Sequence, residues 1–167
     1  MIEAVFVDFS CRKLRQMAGR VTTCLDVLTE EQLWQRPNPH SNAVGNLVLH
    51  LAGNVRQWVI AGVGGATDAR ERAAEFAAES GTRDELKRRL TETIDQACAI
   101  LQSLPAERLS DQVEIQGFRL TILEGIYHVV EHFSGHTGQI ILLAKTYAAR
   151  PFDFYNYLDE QHPDETP

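Results

Sequence analysis

Cysteine, positive charge and long apolar runs are all in short supply in this chain, and each shortage removes a class of protein. The cysteines are Cys11, Cys24 and Cys98, odd in number and widely spaced, with no Cys-x-x-Cys. That pattern gives neither a disulfide framework nor a cysteine zinc knuckle, and three buried or half-buried thiols in a cytoplasmic protein are expected. Lys and Arg number 16 against 23 Asp and Glu, for a formal net charge of -7 and a pI near 5.3. This balance argues against non-specific binding to nucleic acid or to an anionic membrane surface. No stretch is long and apolar enough to span a bilayer. The N-terminal residues lack the basic run and cleavage site of a secretory signal. Histidine is scarce too, at six residues, yet half of them, His128, His132 and His136, fall in one short segment.

What is present is an ordinary globular composition. With 167 residues, 44% hydrophobic and 23% charged, the chain is expected to form one domain over 1–167 around a real core. Four long helical patterns stand out. The first runs from about Ala4 to Leu28, with Phe6, Phe9, Leu14, Met17, Val21 and Cys24 recurring at threes and fours. Thr29 to Gln32 fits a capping box for a short extra turn. The second helix spans roughly Asn42 to Ala61, with Ser41 or Asn42 as N-cap and Gly62 to Gly65 as its stop. A charged, alanine-rich stretch from Asp68 to Glu79 is a candidate short helix in a connection. Thr82 to Glu85 is a second capping box, opening a third helix to about Leu104. Residues 112–120 alternate around Gly117 as a small hairpin or extended loop. Thr121 to Glu124 then opens a fourth helix to about Ala148. An aromatic tail, Phe152, Phe154, Tyr155, Tyr157 and Leu158, is expected to fold back. The fold class is therefore all-α, a four-helix bundle with a long crossover connection between helices two and three.

The histidines of helix four sit at i, i+4 and i+8, on one edge of its apolar face, followed by Gln139. On helix two, His50 lies beside the stripe of Val44, Leu47, Val48, Leu51, Val55 and Trp58, with the amides Asn46, Asn54 and Gln57 one turn away. Facing helices in a bundle build internal metal sites from such positions. A lone histidine at a helix edge is ordinarily solvated or hydrogen-bonded, and that reading suits His50 taken alone. Three in a row weaken it, because buried imidazole nitrogens need partners. On helix four alone, metal and non-metal readings carry equal weight. The three cannot all hold one ion, since residues eight apart are roughly 12 Å apart along the axis. His128-Val-Val-Glu131-His132 also matches an H-x-x-E-H metallopeptidase pattern. That chemistry needs a further carboxylate far downstream, for which the remaining chain has little room.

The segment His132-Phe-Ser-Gly-His136-Thr-Gly-Gln139-Ile resembles the helix-four signature of the DinB/YfiT metalloenzyme superfamily. Asn42-Ala-Val-Gly-Asn46-Leu-Val-Leu-His50-Leu resembles its helix-two segment, and Arg70-Glu-Arg-Ala-Ala-Glu75-Phe76 the connecting stretch of one branch. The resemblance implies one divalent ion, commonly zinc or nickel, held by His50, His132 and His136. It leaves His128 to the pocket wall, with Asn46, Asn54 and Gln139 as hydrogen-bonding partners around the ligands. Three neutral ligands leave positions open, a catalytic rather than structural arrangement. Relatives of this kind include enzymes that use low-molecular-weight thiols. The implied function is a metal-dependent, thiol-dependent S-transferase or hydrolase acting on a small-molecule substrate, with a homodimer as the expected assembly and no nucleic-acid or membrane partner. Two other readings stand beside it: a non-catalytic metal- or small-molecule-binding bundle of the stress or sensor kind, and, more weakly, a metallopeptidase.

Overall fold

Three helix starts follow directly from side-chain caps. Thr29, Thr82 and Thr121 each accept the backbone N–H three residues on, and Gln32, Glu85 and Glu124 accept the threonine's own N–H in return. Each box satisfies donors that a helix start leaves open. In the computed structural model, which describes residues 2–154, these caps open α2 (Glu30–Trp34), α5 (Arg83–Ser103) and α6 (Ile122–Ala148). The other helices are α1 (Ile2–Val27), α3 (Val44–Val55) and the short α4 (Arg72–Ala77).

The second long helix departs from expectation at both ends. Its N-cap is Ala43, not Ser41 or Asn42, and Asn46 Oδ1 accepts the Ala43 N–H at 3.1 Å. At Arg56 it widens into a π-helix that runs to Val63, a geometry that recurs at functional sites. No hydrophobic pattern distinguishes that widening from an ordinary helix. Gly65, at φ +75, ends the segment. Residues 112–121 form a true hairpin, with β1 (Gln112–Ile115) antiparallel to β2 (Phe118–Thr121). Its two-residue turn places Gln116 at φ 54 and Gly117 at φ 79, as tight hairpins require. A 3₁₀ turn over Ala106–Ser110 precedes it.

The chain is all-α apart from this hairpin, the one sheet among the described residues. α1 packs on α5 and α6, and α3 packs on the same two helices. Leu14, Val21, Leu25, Leu51, Leu90, Ile94, Ile126 and Phe133 are among the buried residues of the shared core. Cys11, Cys24 and Cys98 are free and buried. Cys11 and Cys98 each point a thiol at the other's carbonyl, at 4.0 and 3.9 Å, between α1 and α5. Phe152 and Phe154 pack on the core, whereas Tyr155, Tyr157 and Leu158 lie outside the described residues. Among those residues, no helix is long and apolar enough to cross a membrane.

Helix direction explains the long connection. Gly45, at the start of α3, lies against Trp34, whose indole N–H donates to Gly81 O at the threshold of α5. Gly64, past the other end, faces Ile100 late in α5. The two helices therefore run the same way, and the chain must travel back between them. α3 and α6 run oppositely: His50 meets His132 and His136, while Trp58 meets His128. The returning segment passes α3 and is tied down by Asn46, whose Nδ2 donates to Glu75 O at 3.0 Å and Ala78 O at 2.8 Å.

Candidate metal centre

Buried apolar positions on α3 and α6 bring the two helices together, and their polar edges meet where they do. His50 comes from the middle of α3 and is only 4% exposed. His132 and His136 lie one turn apart on α6 and are half-buried. The ring centroids are 5.0 Å apart for His50 and His132, 4.9 Å for His50 and His136, and 4.5 Å for His132 and His136. One nitrogen from each of the three lies within 4.8 Å of the others, and the Nε2 atoms of His50 and His132 are 3.1 Å apart. Ligand nitrogens around a tetrahedral ion, at about 2.0–2.1 Å from it, stand roughly 3.3 Å from one another. The donor set and its spacing fit one divalent ion.

The second nitrogen of each ring decides whether the first is free to bind. His50 Nδ1 lies 3.1 Å from Glu75 Oε2. Glu75 is itself gripped by Arg70, whose Nε donates to Oε1 and Nη2 to Oε2, both at 2.8 Å. The Arg70 Nη2 also lies 3.0 Å from His50 Nδ1. With the Nδ1 proton directed at the carboxylate, Nε2 keeps its lone pair for a metal, the carboxylate–histidine arrangement that orients metal ligands. His136 repeats the pattern through Nδ1 and Gln139 Oε1 at 2.9 Å. The Arg70 and Glu75 side chains are 4% and 6% exposed, so this is a buried, fully engaged ion pair. Gly53 makes room for it, since a Cβ there would run into the Glu75 carboxylate and come within 3.0 Å of Arg70 Nε.

Electrostatics favours the neutral form of His132 and His136. Burial, with His136, His50, His128 and Arg70 adding to it, pushes His132 down to about 3. Burial also lowers His136, against the opposing effect of the hydrogen bond its Nδ1 donates to Gln139 Oε1. Burial alone pushes the Glu75 carboxyl up, but hydrogen bonds from Arg70 and His50 outweigh it and hold the group below the ordinary carboxylate range. Neutral imidazoles backed by an ionised carboxylate are the protonation states that metal binding needs.

Comparison with known proteins places the fold. Residues 2–156 match the family described as "Protein of unknown function (DUF1572)". The chain belongs to the DUF1572 family. No curated protein matches it significantly. Solved structures similar to it include a conserved protein of Enterococcus faecalis, 16% identical, with a TM-score of 0.74 over 86% of this chain and 97% of that one. A DinB-like protein of Bacillus cereus is 16% identical, with a TM-score of 0.64 over 79% of this chain and 86% of that one. The DinB-like protein YjoA of Bacillus subtilis is 16% identical, with a TM-score of 0.68 over 87% and 96%. The likeness carries the fold, and it is the DinB-like fold that the histidine motifs suggested.

In this DUF1572 chain the remaining predicted site residues take distinct places. His128 packs against Trp58, with ring centroids 4.2 Å apart and the planes tilted by 44°, and lies 5.7 Å from His132, outside the converging group. The Glu131 side chain between them is exposed. Gln139 holds His136. Asn46 is fully buried and acts on the backbone of the Glu75 helix rather than on an imidazole. Asn54 is buried, with an Oδ1 that has no hydrogen-bond partner. Sequence reasoning assigned no role to Arg70, Glu75, Phe76 or Gly53. Phe76 places its ring 4.8 Å from His50, and Arg72 covers the outer face of that ring at 4.9 Å. The only signal for Glu75 lay in the quoted run Arg70 to Phe76, where a carboxylate in a polar connection reads as solvated.

Proposed function

We propose that this chain is a single-domain four-helix bundle of the DinB type that binds one divalent ion through His50, His132 and His136. In this reading the ion serves small-molecule chemistry, a thiol-dependent S-transfer or a hydrolysis. The observation that carries the reading is the convergence of three imidazoles on one point, with the buried Glu75–Arg70 pair behind the most buried of them. A zinc or nickel ion held there supplies a Lewis acid that lowers the pKa of a bound water or thiol toward neutrality.

The protein's own groups bind and orient. Glu75 fixes the tautomer and angle of His50, and Gln139 does the same for His136. Phe76, on the crossover, walls the site beside His50 and limits water there. No nucleophilic side chain is needed, and none among the described residues joins the three imidazoles. The acidic chain and its free, buried cysteines support a cytoplasmic protein without a nucleic-acid partner. Tyr127 and Leu142, 63% and 65% exposed on the outer side of α6, support pairing of two copies through that helix.

The test is metal analysis of the purified wild type beside His50→Ala, followed by a screen of thiol conjugation and hydrolysis with zinc- and nickel-loaded protein. One equivalent of metal in the wild type, lost in the variant, together with metal-dependent turnover, is the expected result. Metal-linked stabilisation with no turnover across a broad electrophile panel would instead make the protein a binder. Equal metal content in both proteins would refute the site.

A further inference from the structure

Two adjoining cavities lie between the second long helix, α5 and the returning segment. The larger, about 650 Å³, is lined on its apolar side by Trp34, Leu49 and Leu86. The smaller, about 320 Å³, runs past Gly53 to Arg70 and Glu75, the ion pair behind His50. Neither is bordered by the three clustered imidazoles. Three residues border both cavities, Leu49, Arg56 and Arg89, and they define the waist where the two meet. The other charges on these walls are placed differently. Glu85 accepts the N–H and the O–H of Thr82 at 2.9 Å each, with Arg88 beside it. Arg70 and Glu75 hold each other. Glu92 borders only the larger cavity and Glu71 only the smaller. No carboxylate borders both.

The waist is thus flanked by two exposed guanidiniums from opposite helices. Neither side chain has a hydrogen bond or an ion pair among the described residues. The chain carries 23 acidic residues to 16 basic ones, so carboxylates are plentiful and yet none is paired with either arginine. Arg56 is also the residue at which the π-helical segment opens, an irregularity that recurs at functional sites. We infer that the waist binds the oxyanion of a small amphipathic molecule, a carboxylate or phosphate carried on an apolar body. Arginine forks match such oxyanions with paired N–H donors. Arg56 and Arg89 hold the head from the two helices, beside Leu49. The body lies along Leu86 and Trp34 in the larger cavity, whose volume is that of small-molecule sites, about 300–1,000 Å³. The Trp34 indole, donating to Gly81 O at 2.9 Å, is a fixed wall for it. This site is separate from the histidine cluster and requires no metal there.

Calorimetry and ¹⁵N spectra of the full chain test this. Phenyl phosphate and phenylacetate are titrated beside neutral benzyl alcohol and beside inorganic phosphate, and the tighter of the two aryl anions identifies the head group. That anion binds at least tenfold more tightly than benzyl alcohol or inorganic phosphate. It moves the Trp34 indole N–H signal, assigned through its loss in Trp34→Phe, in a saturable way, while the Trp58 signal stays put. Arg56→Gln and Arg89→Gln each weaken binding roughly fivefold, the upper end for an exposed ion pair. Arg119→Gln, on β2 and outside both cavities, leaves it unchanged. All three arginines are exposed, so the variants keep the fold, which an unchanged Tm verifies. The site is overturned if benzyl alcohol or inorganic phosphate binds as tightly as the aryl anions, or if the Trp34 signal does not move. It is overturned equally if either cavity variant binds like wild type, or if Arg119→Gln loses as much affinity, since binding would then be diffuse charge attraction.

Discussion

Replacing Gly53 by alanine should weaken this protein although it lies in the middle of a helix. In an exposed helix interior the same change gains about 1 kcal/mol, because glycine is the poorer helix former. Here the new methyl would occupy the space of the Glu75 carboxylate and press on Arg70 Nε. A long side chain with a free end would swing aside at little cost, but Glu75 is 6% exposed and held by two hydrogen bonds from Arg70. Moving it separates a buried ion pair, which costs about 3–5 kcal/mol when one partner is lost. Set against the helix gain, the net destabilisation is about 2–4 kcal/mol. For a chain of this size that is roughly 5–15 °C in Tm. Gly19 is the control: it lies in α1, and a Cβ there would meet nothing within 4 Å, so Gly19→Ala should be stabilising. Urea and thermal unfolding of both variants read the difference, and Gly53→Ala in a Glu75→Ala background should lose its penalty. The reasoning is refuted if Gly53→Ala is as stable as wild type, or if its penalty persists without Glu75.

Other consequences can be measured independently. Glu75→Gln keeps the shape but removes the charged acceptor of His50 Nδ1, and should lower zinc affinity by about 10–100-fold in a chelator competition while leaving the helical circular dichroism unchanged. His128→Ala should retain one equivalent of metal; loss of the metal would return the H-x-x-E-H reading to contention. The stability of metal-free protein should fall on acidification between the ordinary histidine value of about 6.5 and the value near 3 of folded His132. In that window the unfolded chain binds the extra proton, so stability rises with pH. Urea unfolding in chelator across the range reads the slope, which should flatten in His132→Ala. Gly117→Ala, at φ 79, strains the hairpin turn and should lower Tm by a few degrees, roughly the effect of 1 kcal/mol, with no change in metal content.

Much of the architecture was legible because its signals are local. The threonine capping boxes fix three helix starts through bonds made within four residues. The i, i+4 spacing of His132 and His136 places two imidazoles on one face whatever else the chain does. His50 lies on the polar edge of an apolar helix, but it joined the set through the resemblance of its segment, since that edge alone suits an ordinary hydrogen-bonded histidine. What escaped were features decided by packing between distant segments. The π-helix from Arg56 to Val63 follows no periodicity of its own. Asn46, which the resemblance would set beside a ligand, instead holds the carbonyls of Glu75 and Ala78, a role visible only once the connection is in place. Glu75 is a charged residue in an alanine-rich linker until Arg70, His50 and the bare face of Gly53 enclose it.

The shared direction of α3 and α5 has a consequence for how such proteins diversify. A chain with this helix order cannot join the two helices by a tight turn, so it must carry a strap along the outside of α3. Here that strap brings Phe76, Arg72 and Glu75 to the rim and back of the histidine cluster. The scaffold thus separates two kinds of evolutionary change. Helices α3 and α6 are constrained by the core and by the three imidazoles. The strap can exchange residues beside the histidine cluster while remaining anchored at a few points, through Asn46, Gly53 and Trp34. The segment that topology makes obligatory can drift without disturbing the three imidazoles that could hold an ion.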